Sequence, residues 1–365
     1  MVIHQFINKW TLLLSFLFLI ADTALSQIQA VDSVKEYQMA AAKIKLKYEN
    51  NAYKLSPSKA GHMAMRLWRN YNDDSYKYLL LQGINKAATS LDKLVEIGLD
   101  SLSLSNYVRK SNDSYNANTT KKRLRRETFK DYPEYRLICT KILRHVARLH
   151  ELGLQHKDHF QFLELLNQYD FEKVFTDEQM IRAWGAQLAN QVYWLNDLGL
   201  GDWRRSFAKA VEEVYAPEKD LTISDQQFEN KIYTLTHIII AASGYYKRVV
   251  TSVEYQTIIN YFKKNVEEIL KRCKEDVIIE VGLCLLLTNQ AHEELGLIRE
   301  YIYKQVNTTH HMILSKNGNA KFSQGEHRNI IAILLLDWQG CSTVPSGGDL
   351  RGIESSISTS LNPFN

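Results

Sequence analysis

Four segments in the C-terminal two-thirds of this 365-residue chain are apolar around nearly their whole circumference at helical spacing. They are Met180–Leu198, Ile232–Tyr246, Asp276–Asn289 and Glu326–Trp338, and each carries one or two ionisable or amide groups. A helix that is hydrophobic all round must be buried all round. His237, Glu280 and His327 are therefore expected inside protein or against an enclosed cavity. An isolated charge in that setting costs far more than a helix can offset, so each group must be paired, hydrogen-bonded or neutral.

Between these segments lie amphipathic ones, Asp202–Tyr215, Tyr255–Arg272 and His292–Val306. Buried helix, short turn and half-exposed helix alternate at roughly 45 residues, the signature of helical-hairpin repeats. Five prolines and sixteen glycines leave room for long helices rather than many short strands. The expected class is all-α, with the buried helices as an inner layer of an α/α-toroid. The alternative is an open α-solenoid, whose concave helices would be half exposed and more amphipathic than these. The chain divides into a helical region over 27–110, a polar and basic loop over 111–127, a hairpin core over 128–340 and a Ser- and Gly-rich tail over 341–365. The loop holds Lys121, Lys122, Arg123, Arg125 and Arg126, read as an exposed basic stretch.

The first residues read as an export signal, 1–26: Lys9 closes a basic region, Trp10–Ala21 is apolar, and Ala24-Leu25-Ser26 precedes a cleavage point at Gln27. The apolar run is short for a membrane span, and no later stretch reaches the ~20 residues a span needs. The mature chain is thus expected to be exported, periplasmic or secreted. A net charge of +4 spread along the chain does not suggest nucleic acid. Cys139, Cys273, Cys284 and Cys341 make no disulfide framework and are expected to be free.

Glu280 is the sharpest candidate for chemistry, flanked by Ile278, Ile279, Val281 and Leu283, with Asp276 one turn earlier on the same face. A buried carboxyl with a raised pKa can act as general acid while Asp276 or Glu326 serves as its partner. The bland alternative is a structural ion pair between inner helices. His237, His327, Arg328 and Asn190 are the candidates for holding substrate, with Asp197 and Asp337 secondary. His145, His150, His156 and His159 lack the spacing of a zinc site. No phosphate loop, dinucleotide fingerprint or serine elbow is present, so neither metal nor cofactor is expected.

The combination Thr236-His237-Ile238, Glu280-Val281-Gly282-Leu283-Cys284 and Glu326-His327-Arg328-Asn329 resembles an uncharacterised family of exported, all-helical bacterial proteins known only as a domain of unknown function. The resemblance covers about 128–340 and implies a cell-envelope location without transferring an activity. The α/α-toroid itself is shared by glycoside hydrolases, polysaccharide lyases, sugar epimerases and prenyl-group enzymes, an analogy of fold alone. Two functions follow: a glycan-processing enzyme with an acidic and histidine-bearing pocket between inner helices, or a non-catalytic envelope binding or scaffold protein. The partner expected is a glycan or envelope component.

Overall fold

The computed structural model describes residues 33–251, 253–289, 293–350 and 352–363, and the segment 1–26 expected to be an export signal lies outside them. The described chain is all-α apart from two short two-stranded ribbons. Helix α1 covers 33–50, followed by α2 (Pro57–Tyr71), α3 (Lys77–Ile97), α4 (Ser101–Asp113) and α5 (Thr120–Glu127). A continuous helical rod then runs through α6 (Tyr135–Leu137), a π-turn (Ile138–Leu143) and α7 (Arg144–Glu151). Next come α8 (His159–Asn167), α9 (Phe171–Thr176), α10 (Glu178–Asp197), α11 (Arg204–Val214) and α12 (Asp225–Ala242). The remaining helices are α13 (Val253–Lys264), α14 (Val266–Arg272), α15 (Glu275–Leu287), α16 (Glu293–Gln305) and α17 (Glu326–Leu336).

Helix starts follow local chemistry. The Asp177 and Ser224 side chains accept the first free backbone N–H groups of α10 and α12, and Pro57 opens α2 where no N–H is needed. The four all-round apolar segments are α10, α12, α15 and α17, and their buried residues lie on every side. α10 packs on α12, α12 on α15, α15 on α17, α17 on α2, α2 on α3, α3 on α7, and α7 returns to α10. The neighbour relations therefore run in a circuit. α11 lies against α10 and α9, and α16 against α15, α14 and α17, as amphipathic partners.

Contacts between α2 and α3 depend on two missing side chains. A Cβ on Gly61 would stand 2.7 Å from the Cα of Gly83, so only glycine at both positions lets the two backbones meet. Gly83 is thus a packing device inside α3, and the break between α3 and α4 falls at Gly98.

Two expectations need correction. The segment 111–127 is not a loop throughout: α4 extends to Asp113, and Thr119 caps α5 by accepting from Lys122 N. The Arg125 guanidinium lies 4.2 Å from the Trp184 ring and donates to Ala183 O and Gln187 Oε1, which docks this basic helix on α10. The single amphipathic helix expected over 255–272 breaks at Asn265 into α13 and α14. The described part of the tail forms two 3-10 turns, Gly347–Leu350 and Glu354–Ser356, and a short strand, Leu361–Pro363, that pairs antiparallel with Leu154–His156. All four cysteines are free, and no described helix is long and apolar enough to cross a membrane.

Candidate functional site

Inside the circuit is a cavity of about 260 Å³ to which five of these helices contribute. α2 supplies His62, Arg66 and Arg69, α7 supplies Arg144, Arg148 and Glu151, and α10 supplies Gln187, Asn190 and Trp194. α12 and the turn after it add Tyr233, His237, Tyr245 and Tyr246, and α17 adds His327.

Behind the histidines stand the carboxylates. Glu280 on α15 is 1% exposed and does not line the cavity. Its Oε2 accepts a hydrogen bond from Thr236 Oγ1 at 2.9 Å and lies 3.6 Å from His237 Nε2. Its Oε1 lies 3.4 Å from His327 Nε2. On the far side His237 Nδ1 is 2.9 Å from Asn190 Oδ1. Glu326 is 2% exposed, with Oε1 2.6 Å from His62 Nδ1, and His62 Nε2 is 3.2 Å from His327 Nδ1. The expected convergence of polar groups from separate core helices is therefore present, with His62 joining it from a helix 264 residues away in sequence.

The electrostatics divide these groups. Burial pushes His237 down to about 4; the Glu280 charge opposes this, and His327, Arg66 and Lys121 add to it. Burial, together with Arg66, His327 and Arg148, pushes His62 far down, so both imidazoles are neutral at pH 7. Burial works to raise the Glu280 carboxyl, but His237, His327 and the Thr236 hydroxyl outweigh it and hold it below the ordinary glutamate range. Glu326 moves the other way: burial raises it to about 7 against the pull of Arg66, His327, Lys59 and Arg148.

A general-acid role for Glu280 does not fit this arrangement, because its carboxyl is ionised and sits behind the wall. Orienting two wall imidazoles is what its position allows. Asp276, one turn earlier, is half-buried among the charges felt by Lys121 and Tyr233 and does not line the cavity. Arg328 also stays off the wall, its Nε reaching Ile313 O at 3.4 Å. Asn190 and His327 line the cavity, while Asp337 accepts from the Tyr71 hydroxyl elsewhere. Asp197 belongs to an adjoining cavity with His150, Lys247 and Arg248. Among the described residues no group of three His, Cys, Asp or Glu side chains is arranged to hold a metal ion.

Arg66, Arg69, Arg144 and Arg148 line the wall and were not among the candidate residues. Arg69 donates to Glu151 Oε1 at 2.6 Å and to Tyr245 O at 2.9 Å, and Lys247 also approaches Glu151. Glu151 is thereby balanced, leaving Arg66, Arg144 and Arg148 as excess positive charge on the wall. Burial lowers Arg148 to about 10, with Arg144, Arg66 and Arg69 adding like-charge repulsion to Glu151's opposing pull. A stripe was legible: Lys59, His62, Arg66 and Arg69 recur at three and four residues along an otherwise apolar α2, as do Arg144, Arg148 and Glu151 along α7.

Backbone strain sits at the same place. Gly244, Tyr245 and Tyr246 take φ of 64°, 57° and 75°, three left-handed residues in a row after α12. Left-handed backbone costs a non-glycine residue roughly 1–2 kcal/mol, and strain of this kind persists only where surrounding structure holds it. Here the Ser243 hydroxyl accepts from Tyr246 N, and Tyr245 O accepts from Arg69, so both tyrosines are thrown onto the cavity wall.

Fold and site define an all-helical protein with an internal, arginine- and histidine-walled pocket backed by two buried glutamates. The chain belongs to the family described as a domain of unknown function, DUF3541, whose model matches residues 37–363. No curated protein and no solved structure matches it.

Proposed function

We propose that this chain is an exported enzyme that binds an acidic sugar in the internal pocket and acts on it by imidazole acid–base chemistry. The observation that carries this is the wall itself: three guanidinium groups, Arg66, Arg144 and Arg148, in excess of the one wall carboxylate Glu151 that Arg69 already pairs, with three histidines in a cavity the size of one small ring. A bound carboxylate relieves the crowding among Arg66, Arg144 and Arg148 and gains bidentate hydrogen bonds. Trp194, Tyr233, Tyr245 and Tyr246 offer flat apolar faces, and Gln187 and Asn190 offer amides for hydroxyl groups. These features suit a carbohydrate better than a bare anion.

The reaction that fits such a wall is proton abstraction next to the sugar carboxylate, leading to elimination or epimerisation. Guanidinium groups neutralise the carboxylate and stabilise the charge that develops on it, and a neutral imidazole takes the proton. Hydrolysis by two carboxyl groups is less well supported, since neither Glu280 nor Glu326 reaches the cavity. The same observation favours a second reading, a non-catalytic receptor for acidic glycans. The circuit of helices is read as an α/α-toroid whose inner space holds the pocket. Export rests on the sequence 1–26, and an acidic envelope or environmental glycan is the partner it suggests.

Titration of the mature chain with uronate-containing and neutral oligosaccharides, followed by Trp194 fluorescence and thermal shift, tests the ligand class. Acidic sugars should bind and neutral ones should not, and Arg66→Ala and Arg148→Ala should each cost at least tenfold in affinity. Ultraviolet absorbance of a conjugated elimination product separates enzyme from receptor. Equal binding of neutral sugars, or affinity unmoved by both arginine substitutions, would sink the proposal.

A further inference from the structure

We propose that Glu326, His62, His327 and Glu280 form one proton-holding unit, three contacts in series that share a single excess proton and can pass it from Glu326 to Glu280 through both imidazoles. The contacts are Glu326 Oε1 to His62 Nδ1 at 2.6 Å, His62 Nε2 to His327 Nδ1 at 3.2 Å, and His327 Nε2 to Glu280 Oε1 at 3.4 Å. The first two are hydrogen-bond contacts, and the last is a close approach that stands outside hydrogen-bond geometry. They join α17 to α2, α2 back to α17, and α17 to α15.

Counting protons gives the rest. Each contact is attractive only with one proton in it, because otherwise lone pairs face each other across the gap. If both imidazoles are neutral they supply two protons for three contacts, so the set needs a third. In one arrangement Glu326 carries it and donates to His62 Nδ1, His62 donates from Nε2 to His327 Nδ1, and His327 donates from Nε2 to the Glu280 carboxylate. In the other arrangement Glu280 carries it and every donor and acceptor is exchanged. Passing from the first to the second breaks the Glu326 O–H bond and both Nε2–H bonds. It forms both Nδ1–H bonds and the Glu280 O–H bond. The imidazoles change tautomer and no charge is created beyond the exchange between the two carboxyls.

Surrounding groups bias this unit. Arg66 and Lys59 of α2 and Arg144 and Arg148 of α7 act on its Glu326 and His62 end, where Tyr48 of α1 also lies within the Glu326 field. At the other end Thr236 and His237 of α12 hold Glu280 ionised, with Tyr233, Tyr246 and Cys284 also within its field. Burial at the Glu326 end outweighs the pull of those cations, so the first arrangement is the resting one. His62 and His327 line the cavity, so a proton taken from or given to a ligand there is made good from a carboxyl behind the wall, without bulk water. The unit's existence does not depend on what the pocket binds; only its use rests on the acid–base reading above.

The test is long-range ¹⁵N–¹H spectroscopy of the full chain labelled at histidine, followed from about pH 5.5 to 9, where a neutral imidazole's two nitrogens report its tautomer. At the acid end both His62 and His327 should appear as neutral Nε2–H tautomers. On raising the pH the ring nitrogens of both should shift together at one midpoint, since an interacting set loses its proton as a set. In Glu326→Gln an amide N–H replaces the carboxyl proton, so that shared midpoint should vanish for both residues. In His62→Gln, His327 should no longer respond to Glu326. Separate midpoints for the two histidines, each becoming an imidazolium, would overturn the proposal. So would a Glu326→Gln protein that keeps the wild-type midpoint, or a His62→Gln protein in which His327 still shifts there.

Discussion

Glu326 should make the folded chain more stable in mild acid than in mild base, and replacing it with glutamine should remove that dependence. Its side chain is 3% exposed, and its carboxyl titrates at about 7 in the fold against an ordinary value of 4.5. That difference is about two and a half pH units at about 1.4 kcal/mol each, so the ionised form costs on the order of 3 kcal/mol. The sign follows from proton counts. Between pH 4.5 and 7 the folded chain holds this proton and the unfolded chain has lost it, so stability falls as the pH rises through that window. Below 4.5 both states are protonated and the cost is absent; above 7 neither is, and the full cost remains. Glu326→Gln keeps the shape and the hydrogen bond to His62 without the charge. Its advantage over wild type should be near zero at the acid end, climb at about 1.4 kcal/mol per pH unit, and level off at ~3 kcal/mol. With an unfolding entropy of about 0.7 kcal/mol/K for a chain this size, that is a Tm rise of about 4–5 °C in mild base. His237, with a folded value of about 4, pulls the other way by losing stability as the pH falls below its ordinary 6.5, but both proteins carry it and it cancels in the difference. Urea unfolding of both proteins at a series of pH values is the assay. Two parallel stability curves would refute the burial argument for Glu326.

Gly61→Ala should destabilise by at least 1–3 kcal/mol in urea unfolding although alanine is the better helix former, because its Cβ would meet the Gly83 backbone at 2.7 Å; a stabilised variant would show that α2 and α3 can part freely. Tyr246→Ala and Tyr246→Gly both lose a buried ring, yet the glycine variant should be the more stable by about 1 kcal/mol, since its backbone is relieved at a φ of 75°; equal stabilities would mean that the left-handed turn relaxes in either variant. Glu280→Gln should lower the His237 pKa further, because the Glu280 charge is what now opposes burial; a histidine titration that moved upward would contradict the contact.

Much of the architecture was legible in the chain itself. All-round apolarity at helical spacing can be satisfied only by burial, so α10, α12, α15 and α17 had to be interior helices. His237, Glu280 and His327, set in those helices, had to meet other polar groups inside the fold. The docking of α5 was not legible, since a run such as Lys121–Arg126 looks alike whether its arginines are solvated or stacked on a tryptophan. The roles of the carboxylates were misjudged for a related reason. A buried glutamate can be raised or lowered, and neighbours decide which: at Glu280 two imidazoles and a hydroxyl outweigh burial, whereas at Glu326 burial prevails over the pull of its cations.

The inner helices and their stranded polar groups were thus determined by hydrophobic patterning, which is local and survives in one dimension. Which charges share a wall was decided only by the fold. Arg66 and Arg148 come from helices whose cationic stripes could equally have faced solvent, and His62 meets Glu326 across 264 residues. Helix register between distant segments depends on packing throughout the circuit, and that information resides in no single stretch of sequence.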